Sequence, residues 1–483
     1  MEFGSRLRKL RNQNGLSQKE VAIAISVSVN AISQYETNKR FPEPDVLVRL
    51  CKYYKISADY LLGLTEQQRS PQTTGEVLEN TLSREQHVIL DELIKMLNKE
   101  ENIDGKYNHL KEIDWDFLDE KQDEISSLHP YPARFIESIP RSLIDALGVK
   151  PGTSIMDPFC GSGTTLLEAK KRGIDSVGVD LNPIACLISK VKTQQAQVNL
   201  VEVGNEICDR AETYCLKHGM EIPNIPNLDH WFKSDIQKSI YALVTEINNI
   251  DNIDLQNALR FCLSSIIVRV SNQESDTRYA AIEKGASGKD VFKSFRTALE
   301  RLKNAQSKID CSDTNTKIIN KDILTVNSGD VSTDVSLVIT SPPYPNAYEY
   351  WLYHKYRMWW LGYDPIDVRE HEIGARPHYQ KKNGQTEKDF YNQMSSVFKL
   401  IDEVLVTGGH VCIVIGRSVI KGRTVDNALL IRNIANDYKY TCVADIERTI
   451  AASRKSFNLK YGKIKTENIL IFRKEETSES KTL

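Results

Sequence analysis

Apolar residues in the first 63 positions recur at three- and four-residue spacing, which predicts short amphipathic helices. Phe3, Leu7 and Leu10 share one face, Val21, Ala22 and Ile25 a second, and Ile32 and Tyr35 a third. Ser17, with Glu20 three residues on, has the form of a capping box. Val27-Ser28-Val29 turns the chain into another capped helix, and helices over 45–54 and 57–62 complete a five-helix bundle. Two short helices joined by a tight turn match a helix-turn-helix. The polar stretch 65–80, with Pro71 and Gly75, reads as a linker. Ser83 then caps an amphipathic helix to about Lys99, with Val88, Ile89, Leu93, Met96 and Leu97 on one side. Dimerisation and packing on the next domain both remain open as ways to bury that stripe.

Further along, short apolar runs alternate with helical patterns. Strands are expected at 153–157, 176–180, 317–320 and 335–339. This alternation predicts an α/β fold. Between the second and third strands lies an insertion, 195–312, that reads as largely helical, with Leu259, Phe261, Ile266 and Ile267 apolar. Its basic residues, among them Arg269, Arg278, Lys284, Lys289, Lys293, Arg296, Arg301 and Lys303, favour contact with target DNA over a scaffold that only covers the sheet. The segments expected are therefore a helix-turn-helix domain (1–65), a linker with a helix (66–106), an α/β domain (107–194 and 313–475), the insertion with target recognition as its expected role, and a disordered tail (476–483).

A length of 483 residues calls for two or three domains. No apolar run approaches a membrane span, and no signal sequence opens the chain, so a cytoplasmic protein is expected. The nine cysteines lack metal-type spacing, and no metal site is expected. The overall charge of −2 does not advertise nucleic acid, but residues 1–65 hold ten Lys/Arg against six Asp/Glu. A local basic surface of that kind suits phosphate contact.

Chemistry concentrates in two places. Asp157-Pro158-Phe159-Cys160-Gly161-Ser162-Gly163-Thr164-Thr165 joins a strand to a helix through a glycine-rich loop. Gly161 and Gly163 let the backbone approach a ligand, and Asp180, ending the next strand, can accept both hydroxyls of a ribose. A dinucleotide fingerprint fails because Leu166 occupies its third glycine position, and no Gly-Lys-Ser/Thr of a P-loop follows. The acid Asp157 before the loop suits a cationic ligand better than a pyrophosphate. The second place is Thr340-Ser341-Pro342-Pro343-Tyr344. Its prolines remove two backbone donors and fix the chain direction. A hydroxyl, a carbonyl and an aromatic face then converge, as holding an extrahelical nucleobase requires. A plain Pro-Pro turn is the bland alternative.

Phe3-Gly4-Ser5-Arg6-Leu7-Arg8, Gly15-Leu16-Ser17-Gln18 and Ile32-Ser33-Gln34-Tyr35-Glu36 together resemble the Xre/Cro-type helix-turn-helix family. By that resemblance the helix from Val29 enters a major groove. Asn30, Ser33 and Gln34 read base edges, while Gln18, Lys39 and Arg40 contact phosphates. The Asp157–Thr165 loop resembles motif I of S-adenosylmethionine-dependent amino-methyltransferases acting on DNA, and Ser341–Tyr344 resembles their catalytic motif IV. His129-Pro130-Tyr131-Pro132-Ala133-Arg134-Phe135 resembles motif X. The resemblance implies an α/β, Rossmann-like class I methyltransferase fold with a doubly wound sheet, whose last core strands are 408–416 and 467–472, and with S-adenosylmethionine as cofactor. It implies cofactor contacts from His129, Pro132, Phe135, Asp157, Pro158, Phe159, Gly161, Gly163, Thr164, Asp180 and Asp322, and a catalytic set of Ser341, Pro342, Pro343 and Tyr344. Serine at the first position of motif IV points to cytosine N4, since adenine-N6 relatives usually carry Asp or Asn there. Double-stranded DNA is the implied partner; a restriction endonuclease of matching specificity and a homodimer through the N-terminal region are further partners to test. Competing readings are an N6-adenine methylase, a transcription regulator that only senses the cofactor, and an RNA methylase.

Overall fold

The computed structural model describes residues 3–63, 65, 106–118, 123–216, 220–276, 278–309, 314–346, 349–450 and 466–475. The helix expected over 83–99 and the tail from 476 lie outside these residues. The chain divides into two compact units, Met1–Asn108 and His109–Leu483.

The first unit holds the helices Phe3–Gln13, Gln18–Ala24, Val29–Glu36, Pro44–Tyr54 and Ala58–Leu62. Ser17 and Glu20 make the capping box: Glu20 N donates to Ser17 Oγ at 3.2 Å and Ser17 N to Glu20 Oε2 at 2.7 Å. Ser28 caps the next helix through Ala31 N. Leu7, Val21, Ile32, Leu47, Leu50 and Leu61 are fully buried and form one core. That core rests on the residues whose spacing predicts the helices.

The second unit is built on a seven-stranded sheet. Its strands are β1 (Ser154–Asp157), β2 (Ser176–Asp180), β3 (Thr316–Asn320), β4 (Val335–Thr340), β5 (Leu405–Gly416), β8 (Tyr440–Thr449) and β9 (Thr466–Lys474). A separate hairpin pairs β6 (Ser418–Ile420) with β7 (Arg423–Val425). The sheet order is β3-β2-β1-β4-β5-β9-β8, with β9 antiparallel to both neighbours and the first five strands parallel. The chain winds outward from β1 to β3 and then crosses back to place β4 beside β1. That reversal opens a crevice at the carboxyl ends of β1 and β4, the site a doubly wound sheet offers a ligand.

On one side, helices Glu387–Val404 and Asn427–Asp437 bury Phe390, Phe398, Ile401 and Ile431 together with Val338, Val411 and Ile413 of the sheet. Helices Thr164–Lys170 and Pro183–Thr193 pack against β1, β2 and β3. Behind them the insertion adds a further layer, in which Ile184, Leu187 and Val191 share a core with Leu259, Phe261, Ile267, Phe295 and Leu299. Helix Ile253–Val270 buries residues on all its faces. Each fully buried Leu, Ile or Phe contributes about 1.5–3 kcal/mol, so this helix is part of the fold rather than an appended reader. Several basic residues of the insertion are already engaged. Arg296 pairs with Asp209 and Glu212, Arg278 with Glu274, and Lys284 Nζ donates to Val268 O. Its buried helices serve the fold, while Lys289, Lys293, Arg301 and Lys303 are exposed on its surface.

The aromatic stretch after the catalytic tetrad forms the helix Tyr350–Trp360. Its buried face is His354, Tyr356, Arg357, Met358 and Trp360. Trp351 and Trp359 are partly buried against the same core.

Candidate active site

A cavity of about 260 Å³ lies at the carboxyl ends of the central strands. It brings together Asp157, Pro158, Phe159, Gly161, Thr164, Asp180, Asp322, Phe135 and the whole tetrad Ser341–Tyr344. The glycine-rich loop and the Pro-Pro tetrad, about 180 residues apart in the chain, thus share one chamber. Thr340 Oγ1 donates to Asp157 Oδ1 at 2.7 Å, which locks the end of β4 to the end of β1.

The loop is shaped by positive φ at Gly161 (+48°) and Gly163 (+75°). A Cβ on Gly163 would lie 2.7 Å from Ser189 Oγ and 2.9 Å from Ser189 Cα, so only glycine lets the loop seat on helix Pro183–Thr193. Ser189 Oγ donates to Gly161 O at 2.8 Å and Lys192 Nζ to Ser162 O at 2.9 Å. Asp180 accepts from Gly161 N and Asn182 N, both at 2.8 Å. Cys160 is buried in the same loop, and burial raises its thiol well above the ordinary range, which leaves it an apolar packing group.

Three carboxylates line the cavity, Asp157 and Glu372 buried and Asp180 partly so, and desolvation pushes each upward: Asp157 and Asp180 to about 6, Glu372 to about 8. Glu372 accepts from Tyr350 N and Trp351 N, both at 2.8 Å, and so caps the helix that follows the tetrad. S-adenosylmethionine fits this donor set. Carboxylates are available for ribose hydroxyls and for a sulfonium, and Asn182 Nδ2 is buried without a hydrogen-bond partner among the described residues. A bound molecule would meet that donor. A cationic ligand draws the three carboxylates into their charged form, so affinity for S-adenosylmethionine is expected to rise from about pH 6 to about pH 8 and then level off. S-adenosylhomocysteine, without the sulfonium charge, should show the smaller rise. Calorimetric titration of both ligands across that range checks it; equal or opposite slopes would refute it. The ligand-free protein behaves in the reverse sense. Its raised carboxyls hold protons that the unfolded chain releases, so their stabilisation is present below about pH 4 and is lost as pH climbs from there through the folded values of about 6 and 8.

The tetrad follows β4 directly. Tyr344 Oη donates to Glu467 Oε2 at 3.0 Å, and burial together with the Glu467 charge raises its phenol well above the usual range. Gly374 packs against the tetrad: a Cβ there would lie 2.7 Å from Tyr344 O. Asn346 N donates to Gly374 O at 2.9 Å, closing the same turn.

Not every expected contact lies at the cavity. His129 and Pro132 do not line it, and the segment reaches it through Tyr131, Ala133, Arg134, Phe135 and Ile136 instead. The His129 ring is fully buried, with Nδ1 donating to Pro130 O at 2.9 Å and Nε2 facing Ser264 Oγ at 2.9 Å. A carbonyl only accepts, so Nδ1 carries a proton, and burial holds the ring's pKa well below the ordinary range, leaving it neutral with Nε2 accepting from Ser264 Oγ; both nitrogens are used inside the fold. Gly163 also stands back from the cavity, serving helix packing. Conversely, Tyr131, Asn182, Tyr350, Glu372, Arg448 and Glu467 line it without having been singled out. Asn182 carries a local signal, since it follows Asp180 and precedes a helix-opening proline. Glu372, Arg448 and Glu467 carry none.

In the first unit, Asn30, Lys39 and Arg40 are exposed, while Ser33 and Gln34 are half-buried on the same helix-turn-helix. Arg40 lies 3.5 Å from Glu43, an exposed pair of little energetic consequence. Gln18 departs from expectation. Its Nε2 donates to Glu36 Oε2 at 2.9 Å, and the same carboxylate accepts from Arg11 Nε at 2.5 Å and Nη2 at 3.0 Å. Gln18 thus joins the two helices of the motif rather than standing free for phosphate.

Comparison with known proteins divides along the same lines. Residues 2–61 match the helix-turn-helix domain family, 128–216 the RMKL-like methyltransferase domain, and 335–482 the N6_N4_Mtase DNA methylase family. The chain is 24% identical over 325 residues to the Type II methyltransferase M.BsoBI of Geobacillus stearothermophilus, covering 60% of this chain and 64% of that one. It is 28% identical to the Type II methyltransferase M.MvaI of Kocuria varians, over 45% of each. The N-terminal part is 35% identical to the HTH-type transcriptional regulator ImmR of Bacillus subtilis, over 19% of this chain and 71% of the regulator. The chain thus spans less than two thirds of the methyltransferases it matches.

Proposed function

We propose that this chain, which carries a DNA methylase domain behind a helix-turn-helix domain, transfers a methyl group from S-adenosylmethionine to the N4 amine of cytosine in DNA. The observation that carries this reading is the serine hydroxyl of Ser341 in the chamber that also holds Asp157 and Asp180. The exocyclic amine of cytosine is a poor nucleophile because its lone pair is shared with the ring. Acceptors on its two protons, Ser341 Oγ and Pro342 O, push that nitrogen toward a tetrahedral, reactive form. Serine is too weak a base to ionise, so it orients and accepts. Tyr344 stacks on the extrahelical base, a contact of about 1–3 kcal/mol in single-strand binders. When bound, the cofactor would supply the methyl group, the S–CH3 bond breaking to leave S-adenosylhomocysteine, and the surplus N4 proton would pass to solvent. This chain supplies positioning and a water-poor chamber, from which most of the acceleration comes.

The helix-turn-helix domain binds DNA separately from the methylated site and serves either to tether the enzyme or to repress its own promoter. A restriction endonuclease of the same specificity completes the system. Sequencing of modified bases in DNA from a host expressing the chain is expected to reveal N4-methylcytosine at one short recognition sequence. Finding N6-methyladenine alone would overturn the base assignment, and methylated RNA with unmodified DNA would overturn the substrate class.

A further inference from the structure

Arg448 and Glu467 face the same cavity as Ser341 and Tyr344, yet Arg448 lies in no recognised motif and Glu467 reads from sequence only as the start of a strand. Together they form a chain of contacts that ends on the tetrad. Tyr344 Oη donates to Glu467 Oε2 at 3.0 Å. Glu467 Oε1 pairs with Arg448 Nη1. Arg448, only 1% exposed, donates from Nε to Trp115 O at 2.7 Å and from Nη2 to Asp116 O at 2.9 Å. Thr449 N donates to Asp116 Oδ1 at 2.6 Å, fastening the same segment to the end of β8. On its other side the ring is packed close to Gly416, where an added Cβ would lie 3.0 Å from Tyr344 Cε2.

The tip of Tyr344 is thus anchored, through a carboxylate and a guanidinium, to main-chain carbonyls near the beginning of the catalytic unit. The ring cannot swing about its Cα–Cβ bond without breaking the Glu467 bond. A buried ion pair by itself is weak evidence for stability, because apolar residues of similar volume often serve as well. This pair opens on the reaction chamber and holds the aromatic group on which a base would stack. We infer that Glu467, braced by Arg448, is a positioning residue that fixes the plane of Tyr344, and so the placement of the target base against Ser341. The inference rests on the methyl-transfer reading and names the part of the site that aligns the substrate. It predicts a defect in the transfer step with cofactor binding spared, because a displacement of about 1 Å from the productive geometry costs about 100-fold in rate.

The test compares the wild-type chain with Glu467→Gln, Tyr344→Phe and the double variant. Glu467→Gln keeps size and polarity while weakening the hold of Arg448. Tyr344→Phe leaves the Glu467–Arg448 pair intact and removes the hydroxyl with its contacts to Glu467 and Ser341, so it guards against a misfolded first variant, and the double variant isolates the share that runs through Glu467. Each is mixed with tritiated S-adenosylmethionine and unmodified genomic DNA, and single-turnover methyl transfer is followed beside calorimetric cofactor binding. Each single variant should slow transfer about tenfold or more, with cofactor affinity within about twofold of wild type, and the double should be no slower than the worse single, as coupled residues require. Wild-type rates in Glu467→Gln, multiplied losses in the double variant, or a fall in cofactor affinity matching the fall in rate would each overturn the inference while wild-type methylation stands. A wild type that transfers no methyl group to DNA overturns the proposed function itself, and the inference with it.

Discussion

Ser341→Ala is expected to slow methyl transfer by about 100-fold or more while leaving S-adenosylmethionine affinity within about twofold. Removing one preorganised hydrogen-bonding group from a reaction centre typically costs about 10²–10³ in rate. Ser341 is placed for that role by its neighbours. Thr340 is tied to Asp157 across β4 and β1, the two prolines stiffen the turn, and Gly374 closes on Tyr344 from behind. None of the hydrogen bonds that shape the cofactor loop runs through Ser341 among the described residues: those bonds link Asp180, Gly161, Ser189, Asn182 and Lys192. Rate and affinity should therefore separate. Single-turnover kinetics beside calorimetry check this. Full transfer by Ser341→Ala would remove the serine from the mechanism, and a parallel collapse of cofactor binding would assign it a different task.

Asp180→Ala should act in the opposite way, lowering cofactor affinity by about 100-fold or more and reducing thermal stability as well. The side chain accepts from Gly161 N and Asn182 N in a partly buried setting. Alanine leaves both donors without an acceptor, at about 1–3 kcal/mol for each buried group, and removes the carboxylate available to ribose hydroxyls. Asp180→Asn is the informative companion. An amide offers a single acceptor oxygen and turns an NH2 toward one of the two backbone donors, so it should recover part of the stability and little of the affinity. Thermal melts and calorimetry on the two variants decide it; an Asp180→Ala protein that binds the cofactor normally would rule out the ribose role.

Much of the fold is legible along the chain because it depends on local chemistry. The five helices of the first unit follow from apolar spacing and from Ser17, Glu20 and Ser28, each acting within three residues of itself. The glycine loop, Asp180 and the Ser-Pro-Pro-Tyr tetrad stand at strand ends, where backbone freedom, a carboxylate and a rigid turn announce chemistry before any tertiary contact is known. Asp157, Asp180, Asp322 and Ser341 reach one cavity by that logic. His129 and Gln18 go elsewhere because a motif specifies a residue's neighbours in sequence, not the partner that captures its side chain. Ser264, 135 residues away, takes the histidine, and Glu36, already holding Arg11, takes the glutamine.

Local pattern thus dictated the two-unit plan, the strand and helix succession, the cofactor loop and the serine that carries the base assignment. Folding in three dimensions added what no window of residues contains. It turned the basic insertion into a buried layer, set Glu372 into the cavity as a helix cap, and ran a chain of contacts from Trp115 and Asp116 through Arg448 and Glu467 to Tyr344. The reason is range. Spacing and capping act over a turn or two of chain, whereas Arg448 and Trp115 are separated by 333 residues and meet only because the segment before the first strand folds back against the edge strand β8.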